Sequence, residues 1–252
     1  MVFDTHLWIQ SLLQRLPQLL PSSCALCGAG GAEAICKGCK TAYFGKPMAR
    51  CRQCAAVLRG TGIEDGRCGD CVMLPPAFDA TIAAIDYLPP ADQLVLALKF
   101  GGRLALAPVL AQLQRDALLD QQAATTLPDW ITAVPLGRRR LRERGFNQAL
   151  EIAKPLARLL GLPLYPHLLQ RRRETAAQSS LQRDERQANL REAFAVSPAF
   201  ADTVRGRHVA VVDDVLTTGA TLNEVAATLK RFGAARVTNL VFARTLHGHA
   251  KQ

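Results

Sequence analysis

Four apolar residues, Val209-Ala210-Val211-Val212, lead into two adjacent carboxylates, Asp213 and Asp214, and then into a segment of small and hydroxyl-bearing residues, Thr217, Thr218, Gly219, Ala220 and Thr221. The uncharged Val-rich run reads as a strand covered on both faces. The apolar periodicity over 221–232 reads as a helix. At such a strand-to-helix junction, small residues let backbone N–H groups approach a phosphate, hydroxyls add donors, and the helix N-terminus adds partial positive charge. Two neighbouring carboxylates would repel phosphate but suit sugar hydroxyls or Mg²⁺. The residues therefore predict a sugar-phosphate site, with the phosphate on 217–221 and ribose hydroxyls on Asp213 and Asp214.

A second constellation lies far from the first in sequence. All eight cysteines fall in four Cys-x-x-Cys pairs, Cys24/Cys27, Cys36/Cys39, Cys51/Cys54 and Cys68/Cys71. Two intervening residues let both thiolates reach one ion, and eight ligands make two closed tetrahedral sites with no position left for water. Structural zinc is the expectation rather than catalytic zinc. A disulfide framework competes poorly, because no export signal is seen and reduced thiols are the rule in the cytosol. Sequential pairing, Cys24 to Cys39 in one site and Cys51 to Cys71 in the other, is preferred over crossed pairing because each unit is then a short zinc ribbon.

The elements that must position these groups are legible in outline. The chain has 252 residues, 49% hydrophobic and 21% charged, which fits a folded globular protein rather than a disordered one. Residues 1–22 carry apolar spacing suited to a short amphipathic helix. Residues 23–78 form the cysteine module, closed by Leu74-Pro75-Pro76. Over 79–252, short apolar runs alternate with amphipathic ones, the pattern of parallel strands with helical crossovers. Strands are predicted over 81–87, 130–134, 209–212 and 236–242, and helices over 92–100, 104–119, 146–160 and 221–232. The fold class is α/β, a parallel sheet flanked by helices and preceded by a small Cys-rich module. No apolar stretch approaches the ~18 residues of a membrane span, and the first residues, with Asp4 and no basic leader, point to the cytoplasm.

The sequence Val-Val-Asp-Asp-Val-Leu-Thr-Thr-Gly-Ala-Thr at 211–221 resembles the 5-phosphoribosyl-1-pyrophosphate (PRPP) signature of type I phosphoribosyltransferases. With Val134-Pro135-Leu136, Arg144-Gly145-Phe146-Asn147-Gln148, the stretch 172–189 and the four cysteine pairs, the chain is similar over nearly its whole length to the ComF/GntX family. That resemblance implies PRPP bound with Mg²⁺, its ribose on Asp213 and Asp214 and its 5′-phosphate on 217–221. It makes the segment after Val134 a pyrophosphate loop, with Leu136, Arg138 and Arg144 as contacts. It also implies a link to the uptake or use of external DNA. Purine-type transferases carry an Asp where this chain has Thr217, so the site is more similar to the orotate type.

The formal net charge is +10, and residues 136–191 hold 13 Lys or Arg against 5 Asp or Glu. Polyanionic partners are expected, either a phosphorylated substrate or nucleic acid. Residues 171–191 are rich in Gln, Ser and Arg, and related transferases close a loop over the activated sugar to exclude water. Thr175, Gln178, Arg186 and Asn189 are the lid candidates. Two functions are open: a phosphoribosyltransferase of unstated acceptor, or a non-catalytic adaptor that keeps the PRPP pocket and binds single-stranded DNA or DNA-uptake proteins. With aromatic residues at only 6%, stacking platforms for single strands are scarce.

Overall fold

The computed structural model describes residues 22–44, 48–58, 64–121, 126–172 and 193–246. The helix expected over 1–22 lies, apart from Ser22, outside the described residues. The chain divides into two compact units, Met1–Lys46 and Pro47–Gln252.

The smaller unit carries a two-residue antiparallel ladder, β1 (Ser22–Ser23) with β2 (Gly30–Gly31), followed by α1 (Lys37–Phe44). Cys24 and Cys39 are its buried thiols.

The larger unit begins with a cysteine-bearing segment that ends in the short helix α2 (Gly69–Met73). It continues through β3 (Ala80–Asp86), α3 (Ala91–Lys99), α4 (Ala107–Asp120), β4 (Trp130–Ala133), α5 (Arg138–Arg144) and α6 (Gln148–Leu160). After the antiparallel pair β5 (Leu169–Arg171) and β6 (Phe194–Val196) come β7 (His208–Leu216), α7 (Ala220–Arg231) and β8 (Arg236–Arg244). Four strands form a parallel sheet in the order β3-β8-β7-β4. Val209, Val211, Val237 and Val241 share a core with Leu222, Val225, Ala226 and Leu229 of α7. Strand alternation leaves Ala210, Val212 and Leu240 for the opposite face, and α4 and α6 pack on each other and on the sheet.

Two local departures from the sequence reading matter for the site. The strand expected to stop at Val212 runs on to Leu216, because β8 stays paired as far as Leu216 opposite Arg244. Asp213 and Asp214 are thus held within the strand. The basic segment 138–144, read as a loop, is helical. Its Arg, Leu and Glu side chains are good helix formers, Arg139 and Glu143 pair at 3.2 Å one turn apart, and Gly145 closes α5 at φ +81°, a left-handed cap that glycine adopts without strain.

His208 opens β7 with its ring buried. Nε2 lies 2.8 Å from Thr238 Oγ1, while its backbone N–H donates to Asp129 Oδ2 at 2.8 Å. Burial, then the charge of Arg236, pushes its pKa below the ordinary 6.5. The unfolded chain therefore takes up this proton first. The stability tied to the neutral ring is present above pH 6.5 and is lost as pH falls from there through the folded pKa. Denaturation midpoints at pH 7.5 and 5.5 should differ more for the wild type than for His208→Gln.

Candidate functional site

The carboxyl ends of β7 and β4 open on a cleft of about 260 Å³. One wall is the continuous run from Asp213 to Leu222; Val134, Pro135 and Leu136 face it from the end of β4. In a parallel α/β sheet this is where ligands sit. Gly219 stands at φ +82° just ahead of α7, a backbone region that costs a side-chain-bearing residue strain. An added Cβ would only touch the Phe78 ring at 3.9 Å, so conformation rather than space calls for glycine here. Thr217 and Thr218 are exposed toward the opening, and Thr218 Oγ1 accepts from Ala220 N at 3.4 Å.

The two acids differ. Asp214 is buried and its Oδ2 lies 2.5 Å from Lys99 Nζ, at the end of α3. Asp213 is half-buried; its Oδ1 accepts the Asp214 N–H at 2.9 Å, and its own carbonyl accepts from Gln114 Nε2 at 3.3 Å. Burial first, then the adjacent Asp214 charge, raises the Asp213 pKa well above its ordinary 3.8, with Lys99 acting in the opposite sense. A cation or a set of hydroxyl donors arriving at the pair would relieve that repulsion.

Cationic side chains complete the wall: Lys99, Arg140 and Arg171 line the cleft, and Arg171 also stacks over Phe194 at 5.5 Å. An adjoining cavity of about 600 Å³ shares Tyr87, Lys99 and Arg140 with the cleft and adds Phe100, Arg144 and Phe146. The turn between α5 and α6 is fixed by Asn147, which caps α6 by accepting from Ala149 N at 3.1 Å and donates to the Val134 carbonyl at 3.0 Å.

The structure therefore brings Asp213, Asp214, residues 217–221 and Leu136 around one cleft. Arg144 lies in the adjoining cavity, its guanidinium 5.3 Å from the Phe100 ring and 2.5 Å from Gln148 Oε1. Arg138 is exposed on α5 and lines neither space among the described residues; Arg140 takes the place facing the cleft. Thr175, Gln178, Arg186 and Asn189 lie outside the described residues. Lys99 escaped the sequence reading, while Arg140 fell within the expected pyrophosphate loop and Arg171 at the start of the expected lid stretch without being singled out as contacts. The legible signal for Lys99 was a lone basic residue ending an apolar helix just before the loop Gly101-Gly102.

The cysteines assemble as two groups, Cys24/Cys27/Cys36/Cys39 and Cys51/Cys54/Cys68/Cys71, each with all four sulfurs within 4.8 Å of one another. Zinc–sulfur bonds of about 2.3 Å in a tetrahedron would place the sulfurs about 3.8 Å apart, and Cys27–Cys36 and Cys54–Cys68 lie at 3.7 and 3.6 Å. The donor set fits a structural metal ion. Both groups share one design. The leading pair forms a turn in which Gly28 N donates to Cys24 O and Ala55 N to Cys51 O; Gly28 and Ala55 have φ +74° and +56°. The second pair sits at a short helix. Backbone N–H groups of Cys54 and Cys68 reach Cys51 Sγ at 3.5 and 3.3 Å, and that of Cys36 reaches Cys24 Sγ at 3.4 Å. Hydrogen bonding from Cys54 holds the Cys51 thiol down at about 4 despite burial, a thiolate ready for a metal.

The second group is part of the larger unit's core. Cys51, Cys54, Ala55 and Cys71 pack with Phe78, Leu216 and Val241. Arg50 donates to both Ala55 O at 3.1 Å and Asp86 Oδ1 at 2.7 Å. Arg244, only 2% exposed at the end of β8, donates through Nε to Cys54 O at 3.0 Å and through Nη1 to Leu216 O at 3.0 Å and to Thr217 O.

Residues 147–252 match the family model described as phosphoribosyl transferase domain. The chain is 36% identical over 232 residues to the DNA utilization protein YhgH of Escherichia coli (strain K12), covering 90% of this chain and 99% of that protein. It is 37% identical over 232 residues to the protein of the same name from Salmonella typhimurium, with the same coverage. It is 31% identical over 207 residues to competence protein F of Haemophilus influenzae, covering 81% of this chain and 88% of that one. Among the described residues, no helix is long and apolar enough to cross a membrane.

Proposed function

This chain belongs to the ComF/GntX family, and from that premise we propose that it is a cytoplasmic PRPP-binding phosphoribosyltransferase serving the uptake or use of external DNA. The observation that carries the reading is the single cleft in which the adjacent acids, the small hydroxyl-rich loop and the cations of three other elements face one another. In this reading backbone N–H groups and hydroxyls of 217–221 take the 5′-phosphate at the start of α7. Asp213 and Asp214 accept the ribose hydroxyls, and Arg140, Arg171 and Lys99 neutralise the pyrophosphate. Magnesium bound with the sugar would be held at Asp213 and Asp214 and would supply further positive charge to offset the leaving pyrophosphate.

The reaction is displacement of pyrophosphate from C1 by a nitrogen nucleophile. The C1–O bond breaks as the C1–N bond forms, and the electron pair leaves with the pyrophosphate. This chain's part is to orient C1 and to hold cations where the leaving group gathers charge. The acceptor enters through the adjoining cavity beside Tyr87, Phe100 and Phe146. With Thr217 in the loop, no carboxylate stands there to take a proton from a purine ring nitrogen. Zinc is the ion proposed for both cysteine groups, and metal analysis of purified protein should give two zinc ions per chain.

The net positive charge of 136–191 favours a second reading, in which the pocket is kept for binding and the chain acts as an adaptor on single-stranded DNA. Pyrophosphate release from PRPP across a panel of nitrogen acceptors separates the two. Release with at least one acceptor, abolished by Asp213→Asn, supports transfer. Salt-sensitive binding of single strands without release from any acceptor supports the adaptor.

A further inference from the structure

The geometry points to Arg244 as a positioning residue that ties the shape of the phosphate loop to the metal state of the second cysteine group. A charged residue ends β8, a strand whose other members from Val237 to Ala243 are buried. Its guanidinium spans two otherwise separate segments. Nε holds the carbonyl of Cys54, a ligand of the second group, while Nη1 holds the carbonyls of Leu216 and Thr217, where strand β7 gives way to the phosphate loop. Nη1 also reaches Thr245 O at 3.1 Å, and Thr245 N returns to Leu216 O at 3.1 Å, which closes the bracket around the loop.

The register explains why one residue can do this. Asp86, Arg244 and Leu216 lie side by side at the ends of β3, β8 and β7, so all three strand ends meet the cysteine turn. Arg50 clasps the same turn from the other side through Ala55 O and Asp86. Carbonyls buried at such a junction need donors, and a planar guanidinium serves several at once where a lysine ammonium cannot keep the same fork. With a metal bound, the turn 51–54 is rigid and Arg244 is fixed. Without it, the Cys54 carbonyl is free to move and the loop at 216–218 loses its anchor. Two sites joined through one rigid bracket are coupled, and coupling is reciprocal: the metal tightens sugar-phosphate binding, and the sugar phosphate tightens the metal by the same factor.

This inference rests on the proposed sugar-phosphate reading for its ligand, so the test keeps the two apart. Full-length, metal-loaded protein is mixed with a chromogenic chelator, and metal release is followed with and without PRPP and magnesium, alongside calorimetry and amide exchange. In wild-type protein PRPP should slow release of one of the two ions by about fivefold or more. Cys27→Ser, which disables the first group, should keep the protected ion. Arg244→Lys should keep both ions while losing the protection and about tenfold in PRPP affinity. PRPP that binds wild-type protein without slowing release of either ion, or Arg244→Lys that binds PRPP as wild type does, overturns the coupling. If PRPP does not bind wild-type protein, the functional reading fails and exchange decides the inference. Faster exchange at 216–221 in Arg244→Lys or Arg244→Met, with both metals retained, sustains it; unchanged exchange there ends it.

Discussion

Asp213→Asn is expected to weaken PRPP binding by about 10- to 100-fold while leaving the melting temperature unchanged or higher by a few degrees. The loss follows from removing a charged acceptor of ribose hydroxyls, since a hydrogen bond to a charged group contributes about 1.5–3 kcal/mol and each tenfold in affinity is about 1.4 kcal/mol. The gain in stability follows from the same residue's position beside Asp214. Its raised pKa means that the folded chain holds this proton more tightly than the unfolded chain does. Stability is accordingly lost as pH rises from 3.8 through the folded pKa, so ionising this carboxylate is a burden on the fold. Asparagine removes that burden and keeps an oxygen for the Asp214 N–H. Opposite signs for binding and stability mark a group kept for function. Asp214→Asn should instead cost stability, because it strips the buried partner from Lys99. Calorimetry and thermal melts of the two variants, run side by side, check both signs.

The second large effect separates the cysteine groups. Cys54→Ser should unfold much of the larger unit or lower its melting temperature by more than about 10 °C, and should abolish PRPP binding. Structural zinc contributes on the order of 10 kcal/mol or more to small metal-bound folds, and Cys54 also sits in the core beside Phe78, Leu216 and Val241. Cys27 is exposed and belongs to the smaller unit. Cys27→Ser should lower the metal content to one ion per chain and leave PRPP affinity within about twofold, because no described residue of that unit lines the cleft. Equal effects from the two substitutions on PRPP binding would refute the distinction.

Local chemistry was the legible part of this chain. The Val-rich run before Asp213, the small loop residues and the Cys-x-x-Cys spacing each encode their geometry within a dozen residues, and the structure assembles them around one cleft and into two four-sulfur groups. Pairing between distant segments was not legible. Lys99 and Arg140 reach the cleft because the sheet runs β3-β8-β7-β4, which sets α3 and the segment after β4 around the end of β7, and Arg171 reaches it from β5, outside that sheet. No periodicity states that order. Arg138 and Arg140 lie two positions apart in one basic run, and the turn of α5 decided which of them faces the cleft. The second cysteine group looked like half of a detached module because its local apolar content is low. Its partners, Phe78, Val241 and Arg244, come from the start and end of the sheet domain. A buried arginine closing an apolar strand was the one sequence clue to that contact.

Titration of PRPP into the full-length, zinc-loaded protein in a calorimeter, with and without magnesium, decides whether this cleft holds a phosphorylated ribose. One molecule should bind per chain, more tightly with magnesium, and should be displaced by ribose 5-phosphate and weakened by Asp213→Asn. No saturable heat at millimolar PRPP, or binding that Asp213→Asn leaves unchanged, would contradict it.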